Sequence, residues 1–261
     1  MLRLLVLLCF ICPKVLAINL IAGDWEPFID SKTDSGILTE IIKASLAEVQ
    51  ESTTINYYPW KRVELMVNQR HAISYGWSYG KARARKWEYS APLYKSSDLF
   101  LIRKDATFKY SQPQDLKNYK IGHVIGFGIP ETLQPIWHEL NIIQVNTSAQ
   151  ILQMILTSRI DVVIINPLVA QKILTEHFPA PTQKQFTFYR DKPVESYELH
   201  AICARTYPNC HAKLEKINQG LALIKQNGIY QQIVDKYEGT ALFSLHKPIM
   251  HNEKALIKQP I

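Results

Sequence analysis

The sequence predicts an α/β protein built from two similar lobes, and three observations carry that expectation. Hydrophobic patterns ahead of residue 80 follow the order β-α-β-α-β, which favours a parallel sheet flanked by helices. A second copy of the same grammar begins near Lys120. Two extended apolar segments, Leu99 to Ile102 and Leu199 to Cys203, stand at the two ends of that second copy, where strands crossing between lobes would run. Composition agrees: 261 residues, 47% hydrophobic and 20% charged, describe an ordinary globular chain, neither disordered nor collagen-like. That length can bury a core in each of two lobes of ~100–130 residues.

In chain order, Ile18 to Ala22 is a short apolar run ending at Gly23-Asp24 and is predicted as the first strand. Ile37, Leu38, Ile41, Ile42, Leu46 and Val49 recur at three-to-four spacing, the pattern of an amphipathic helix. Thr54 to Tyr58 alternates as a second strand, Val63 to Val67 starts another helical stretch, and Ala72 to Tyr75 reads as a third strand. In the second unit, Lys120 to Ile125 is strand-like, and Thr147 with Gln150 makes a candidate capping box ahead of Ile151, Leu152, Met154 and Ile155. Asp161 to Ile165 is a β-branched run suited to a buried strand. Asn68 to Ile73 after the first unit's helix and Thr157 to Val162 after the second's are weakly similar text. Leu214, Ile217, Leu221 and Ile224 give a further helix that Gly228 is expected to stop, and past Gly239 no periodicity is evident. The expected division is a discontinuous first lobe of residues 18–103 and 199–239, a second lobe of residues 104–198, and a tail of residues 240–261.

Met1 to Ala17 places a basic residue at Arg3, an apolar run from Leu4 to Cys12 and small or branched residues at Val15 to Ala17, the grammar of a secretory signal cleaved after Ala17. The run is far short of the ~20 apolar residues that span a bilayer. Removal of Arg3 and Lys14 would lower the formal charge from +7, leaving 28 basic against 23 acidic residues. These charges are scattered, so solvated surface is the expectation and no nucleic-acid partner is expected outside the cytoplasm. Export leaves Cys203 and Cys210 as an even pair in an oxidising compartment, where a disulfide and two unlinked thiols are both open. A monomer is expected.

No metal or cofactor is expected: the eight histidines show no paired ligand spacing, and no phosphate loop or GxSxG elbow is present. What stands out is a set of aromatic and small residues at strand ends: Asp24-Trp25-Glu26-Pro27-Phe28, Tyr58-Pro59-Trp60-Lys61-Arg62 and Tyr75-Gly76-Trp77-Ser78-Tyr79-Gly80, followed by Arg83. In parallel α/β sheets ligands bind beyond the carboxyl ends of the strands, where these segments would converge.

W-x-P-F after the first strand, PWKR after the second, Arg83 leading to Trp87 through Tyr94, and the later text at Gly122, Ser158 to Asp161, Ile217 to Leu221 and Gly228 to Tyr237 resemble the periplasmic polar-amino-acid binding proteins of ABC importers, the bacterial extracellular solute-binding family 3. The resemblance runs from about Ile18 to Gly239. It implies the type II periplasmic binding protein fold, two α/β lobes joined by two crossovers and closing on a ligand by hinge motion; because the second lobe is inserted between them, residues near Arg103 and Leu199 are expected to be the hinges. It implies a small carboxylate-bearing solute as ligand and an ABC transporter permease or a sensor as membrane partner. Trp25 and Trp60 match the aromatics that flank the ligand side chain, and Ser78 and Arg83 match the pair that holds its α-carboxylate; Asp24 and Gly76 lie in the same strand-end segments. The chain departs from the pattern in three places. Gly80 stands where many members have threonine, Phe127-Gly128 replaces a hydroxyl pair, and Asn166 stands where amino-acid binders place the acid for the α-ammonium. Unless Asp24 or Glu26, the acids expected near the cleft, supplies the missing charge, free α-amino acids are expected to be disfavoured. A dehydratase on the same scaffold, of the cyclohexadienyl kind, would need a cleft carboxylic acid that Asn166 cannot supply. A partner-binding protein without a ligand is the other alternative.

Overall fold

A computed structural model of the chain describes residues 17–69, 72–125 and 128–239. Residues 1–16, most of the segment expected to be a secretory signal, lie outside the described residues, as do Phe127 and the tail from residue 240.

The first unit runs β1 (Ile18–Ala22), α1 (Ile37–Glu48), β2 (Thr53–Tyr57), α2 (Trp60–Asn68), β3 (Ile73–Ser78), α3 (Lys81–Ala84) and β4 (Trp87–Tyr89). A ten-residue strand, β5 (Tyr94–Arg103), leads into the second unit. There follow β6 (Lys120–Val124), β7 (Asn141–Val145), α4 (Ser148–Leu156), β8 (Val162–Ile165), α5 (Pro167–His177), α6 (Ala180–Gln183) and β9 (Phe186–Tyr189). A second ten-residue strand, β10 (Glu195–Ala204), returns to the first unit, and α7 (Cys210–Gln226) and α8 (Ile229–Glu238) complete it.

Strand order β2-β1-β3-β10-β5-β8-β6-β7 is symmetric about its centre. In each lobe the first strand lies between two parallel neighbours, β1 between β2 and β3, β6 between β7 and β8. An antiparallel strand from the other half of the chain then closes each trio: β10 beside β3, β5 beside β8. The weak repeat in the sequence is therefore a repeat of topology. The two long strands pair with each other only over Tyr94–Asp98 and Glu195–Leu199; from Leu99 onward β5 pairs with β8, and from Leu199 onward β10 pairs with β3.

Each lobe buries apolar side chains on both faces of its sheet. In the first, the α1 stripe of Ile37, Leu38, Ile41, Ile42 and Leu46 packs with Leu214, Ile217, Leu221 and Ile224 of α7 over Leu20 and Ile73. On the opposite face Val63 and Val67 of α2 pack with Ile21, Trp77 and Trp87. In the second lobe Ile151, Leu152 and Ile155 of α4 meet Val163 and Phe188, while Phe100, Leu116, Ile121 and Leu133 fill the other side. Gly228 takes a left-handed backbone (φ +85°) between α7 and α8, the turn expected of it. Cys203, near the end of β10, and Cys210, the first residue of α7, are both buried and joined by a disulfide with Cα atoms 5.9 Å apart. Among the described residues no helix is long and apolar enough to cross a membrane.

Candidate functional site

A cleft of about 1700 Å³ lies where the two lobes face each other. Asp24, Trp25, Trp60, Gly76, Ser78, Arg83 and Asn166 all line it. The eighth residue singled out in the sequence, Phe127, lies outside the described residues; its neighbour Gly128 lines the cleft with open space where a Cβ would stand.

The aromatic wall is set by backbone shape. Trp25 closes a tight turn, its N–H donating to Ile29 O at 2.9 Å, and its ring lies 4.4 Å from that of Phe28. Trp60 begins α2, donates Nε1 to the carbonyl of Asp24 at 2.9 Å and stands edge-on to Trp77 at 5.2 Å. Two glycines let the indole in: a Cβ on Gly23 would sit 2.5 Å from its ring carbons, and one on Gly76, whose φ is +88°, would sit 3.3 Å from it. Glycine is needed at position 76 for the positive φ, and the indole's approach there is tight as well.

Arg83 projects from the short α3 beyond β3. Its Nη2 donates to Ser78 Oγ at 3.4 Å, and its guanidinium carbon lies 5.5 and 5.7 Å from the ring centres of Trp77 and Trp87. A Cβ on Gly80 would come within 3.0 Å of Arg83 Nε, so the arginine folds over the space a threonine would occupy. Among the described residues no carboxylate forms an ion pair with Arg83. A half-buried guanidinium held by aromatic faces and one hydroxyl has the planar donor pair that chemically suits a carboxylate.

Asn166 is 7% exposed and caps α5. Its Oδ1 accepts from Leu168 N at 2.9 Å, while Nδ2 donates to Ser96 Oγ at 2.7 Å and Ser97 O at 3.1 Å. Its hydrogen bonds thus run to the crossover strand and to its own helix. Asp24 accepts from both Ser31 N and Ser31 Oγ, at 2.8 and 2.7 Å. Glu26 pairs with Lys172 of α5 at 2.9 Å and with Lys32 at 3.6 Å, the first of these joining the two lobes. Hydrogen bonds from Lys172 to Glu176 and Glu26 hold its ammonium well above the ordinary lysine range. Leu168, on the same helix, is buried in the first lobe's core.

The expectation that Asp24 and Glu26 are the acids near the cleft needs correction, because the half-buried Asp98 and Glu195 and the exposed Glu64, Glu131, Glu176 and Glu198 also line it. Asp98 and Glu195 sit opposite each other on the paired stretch of β5 and β10. Burial pushes the Asp98 carboxyl up to about 6, against the pull of the Tyr197 hydroxyl that donates to it at 3.0 Å, and the neighbouring Glu195 charge pushes the same way as burial. Burial also raises Glu195, whose Oε1 accepts from Glu131 N at 3.3 Å. Among the described residues no group of His, Cys, Asp and Glu is arranged to hold a metal ion.

The family profile "Bacterial extracellular solute-binding proteins, family 3" matches residues 19–240. The ABC transporter arginine-binding protein 1 of Escherichia coli K12 is 23% identical over 223 residues, covering 83% of this chain and 88% of that protein. Among solved structures, the arginine-, lysine-, histidine-binding protein ArtJ of Geobacillus stearothermophilus superposes with a TM-score of 0.64 at 16% identity, over 86% of this chain and 96% of that one. A histidine kinase sensor domain similar to periplasmic binding proteins gives 0.67 at 17% identity, over 85% and 96%. Both structures share the two-lobed fold.

Proposed function

Because this chain belongs to the bacterial extracellular solute-binding proteins, family 3, we propose that it captures a small carboxylate-bearing solute, an amino acid or a related compound, between its two lobes. It hands that solute to an ABC-type permease in the inner membrane or presents it to a sensor, and it carries out no reaction on it. The observation that carries this reading is Arg83, held in the cleft by Ser78, Trp77 and Trp87 with its planar donors free of any carboxylate among the described residues. Trp25 and Trp60 supply the apolar wall for the rest of the solute. The relatives' names, an arginine-binding protein and an arginine-, lysine-, histidine-binding protein, agree with a carboxylate on the ligand. A monomer exported by its Met1 to Ala17 segment, with cleavage after Ala17, fits the family's extracellular or periplasmic setting.

The lobes are taken as residues 18–103 with 199–239 and residues 104–198. The exchange of strand partners after Asp98 and at Leu199 supports hinges in this region.

A thermal-shift panel tests the reading: the twenty standard L-amino acids, the matching carboxylic acids without the α-amino group, and the corresponding carboxamides. Some carboxylates should raise the melting temperature by about 5–10 °C at ~100-fold excess over Kd, as mass-action stabilisation of about 2.7 kcal/mol gives for a chain of this size. Their carboxamides should not. A flat response across the panel would favour the partner-binding alternative, and product formation from a prephenate-like acid would favour the enzyme.

A further inference from the structure

We propose that Asp98, on the strand joining the two lobes, is the residue that receives a cationic nitrogen of the solute. The inference rests on the solute-binding reading above and adds the specificity group that this reading leaves unassigned. Asn166 has its carboxamide engaged by Ser96, Ser97 and Leu168. Asp24 is held by Ser31, and Glu26 is neutralised by Lys172 and Lys32. Asp98 lines the same cleft, is half-buried where Glu64, Glu131, Glu176 and Glu198 on the cleft lining are exposed, and differs from all three. Among the described residues it has no lysine or arginine within ion-pair distance, and the charge that bears on it most, that of Glu195 across the strand pair, has the same sign.

A carboxyl in that position is costly to ionise unless a cation arrives from outside the chain. A solute ammonium or guanidinium would supply one, while the Tyr197 hydroxyl keeps one oxygen of Asp98 in place and leaves the other to accept. With Arg83 offering donors in the same cleft, the arrangement suits a solute that carries both a carboxylate and a cationic nitrogen. Position 98 then does for the cation what Asn166, uncharged and turned toward the crossover strand, does not.

The test compares wild type, Asp98→Asn and Arg83→Ala by calorimetry on the standard L-amino acids and their des-amino carboxylic acids. Asparagine keeps an acceptor for Tyr197. The fold of Asp98→Asn is checked by its melting temperature at pH 8, which should not fall: the carboxyl's value is raised in the fold, so its ionised form costs stability as pH rises through about 6, and the amide removes that cost. Wild type should bind at least one amino acid tenfold or more tightly than its des-amino counterpart. Asp98→Asn should lose at least tenfold for the amino acid and leave the des-amino acid unchanged, whereas Arg83→Ala should weaken both. An Asp98→Asn variant that binds amino acids as wild type does, or a wild type that favours des-amino acids throughout, overturns the assignment and leaves the carboxylate reading standing. Binding indifferent to Arg83→Ala, or no binding at all, overturns both.

Discussion

Arg83→Ala should weaken binding of the proposed carboxylate solute by roughly 10- to 150-fold, the equivalent of losing charge-assisted hydrogen bonds worth about 1.5–3 kcal/mol. The guanidinium lies between two indole rings and one hydroxyl, in a wall of the cleft from which water is partly excluded, so its bonds to a ligand would be stronger than those of a surface arginine. The fold should be unaffected, because the side chain makes no ion pair with another described residue and sits on a four-residue helix outside the main core. Calorimetry with the strongest compound of the panel measures the loss, and far-ultraviolet dichroism checks the fold. Unchanged affinity in a folded variant would return Arg83 to the surface.

The largest effect on stability is expected at Gly220→Ala. Helices α1 and α7 form the main layer over the first lobe's sheet, and they approach so closely that a Cβ on Gly220 would lie 1.8 Å from the carbonyl oxygen of Ser45 and 2.5 Å from its carbon. Those are backbone atoms, so no rotamer change relieves the overlap; the helices must separate, opening the packing of Ile41, Ile42 and Leu221, which are buried in the same cluster. Overpacking of this kind costs about 3 kcal/mol or more, which for a chain of this length lowers the melting temperature by about 6–12 °C. Thermal unfolding followed by dichroism reads it directly. A loss under about 2 °C would mean the helices slide apart without cost.

Much of this architecture was legible because the lobes obey simple periodicities. The first strand, Ile18–Ala22, and the α1 stripe appear where apolar spacing predicts them, since both face one continuous core. The topological repeat left a trace in the sequence because each lobe needs the same helix-to-strand turn before β3 and β8. The capping box at Thr147 is half formed: Thr147 Oγ accepts from Gln150 N at 3.2 Å, but the Gln150 carboxamide reaches Asn146 N instead of the cap's own N–H. The crossover strands were read short. Their polar halves, Lys95 to Asp98 and Glu195 to Glu198, pair with each other between the lobes, where hydrophobic alternation has no single helix layer to face. That is also why Asp98 and Glu195 were missed as cleft acids: polar text before an apolar run looks like a loop until its partner strand is known. Helix α5 was missed too, although Asn166-Pro167 is a cap followed by a proline at the first helical position, a start signal the sequence does carry.

Whether two lobes clasp a small solute between them is read by small-angle scattering of the protein with and without a saturating amount of the strongest compound from the panel. Strands β5 and β10 are the connections between the lobes' sheets, and the bridge from Glu26 to Lys172 spans the cleft. Ligand contacts made to both lobes would therefore shift an open-closed equilibrium toward the closed state. A smaller radius of gyration is expected in the bound protein; an unchanged radius, under conditions where calorimetry proves saturation, would rule out closure of the lobes on the solute.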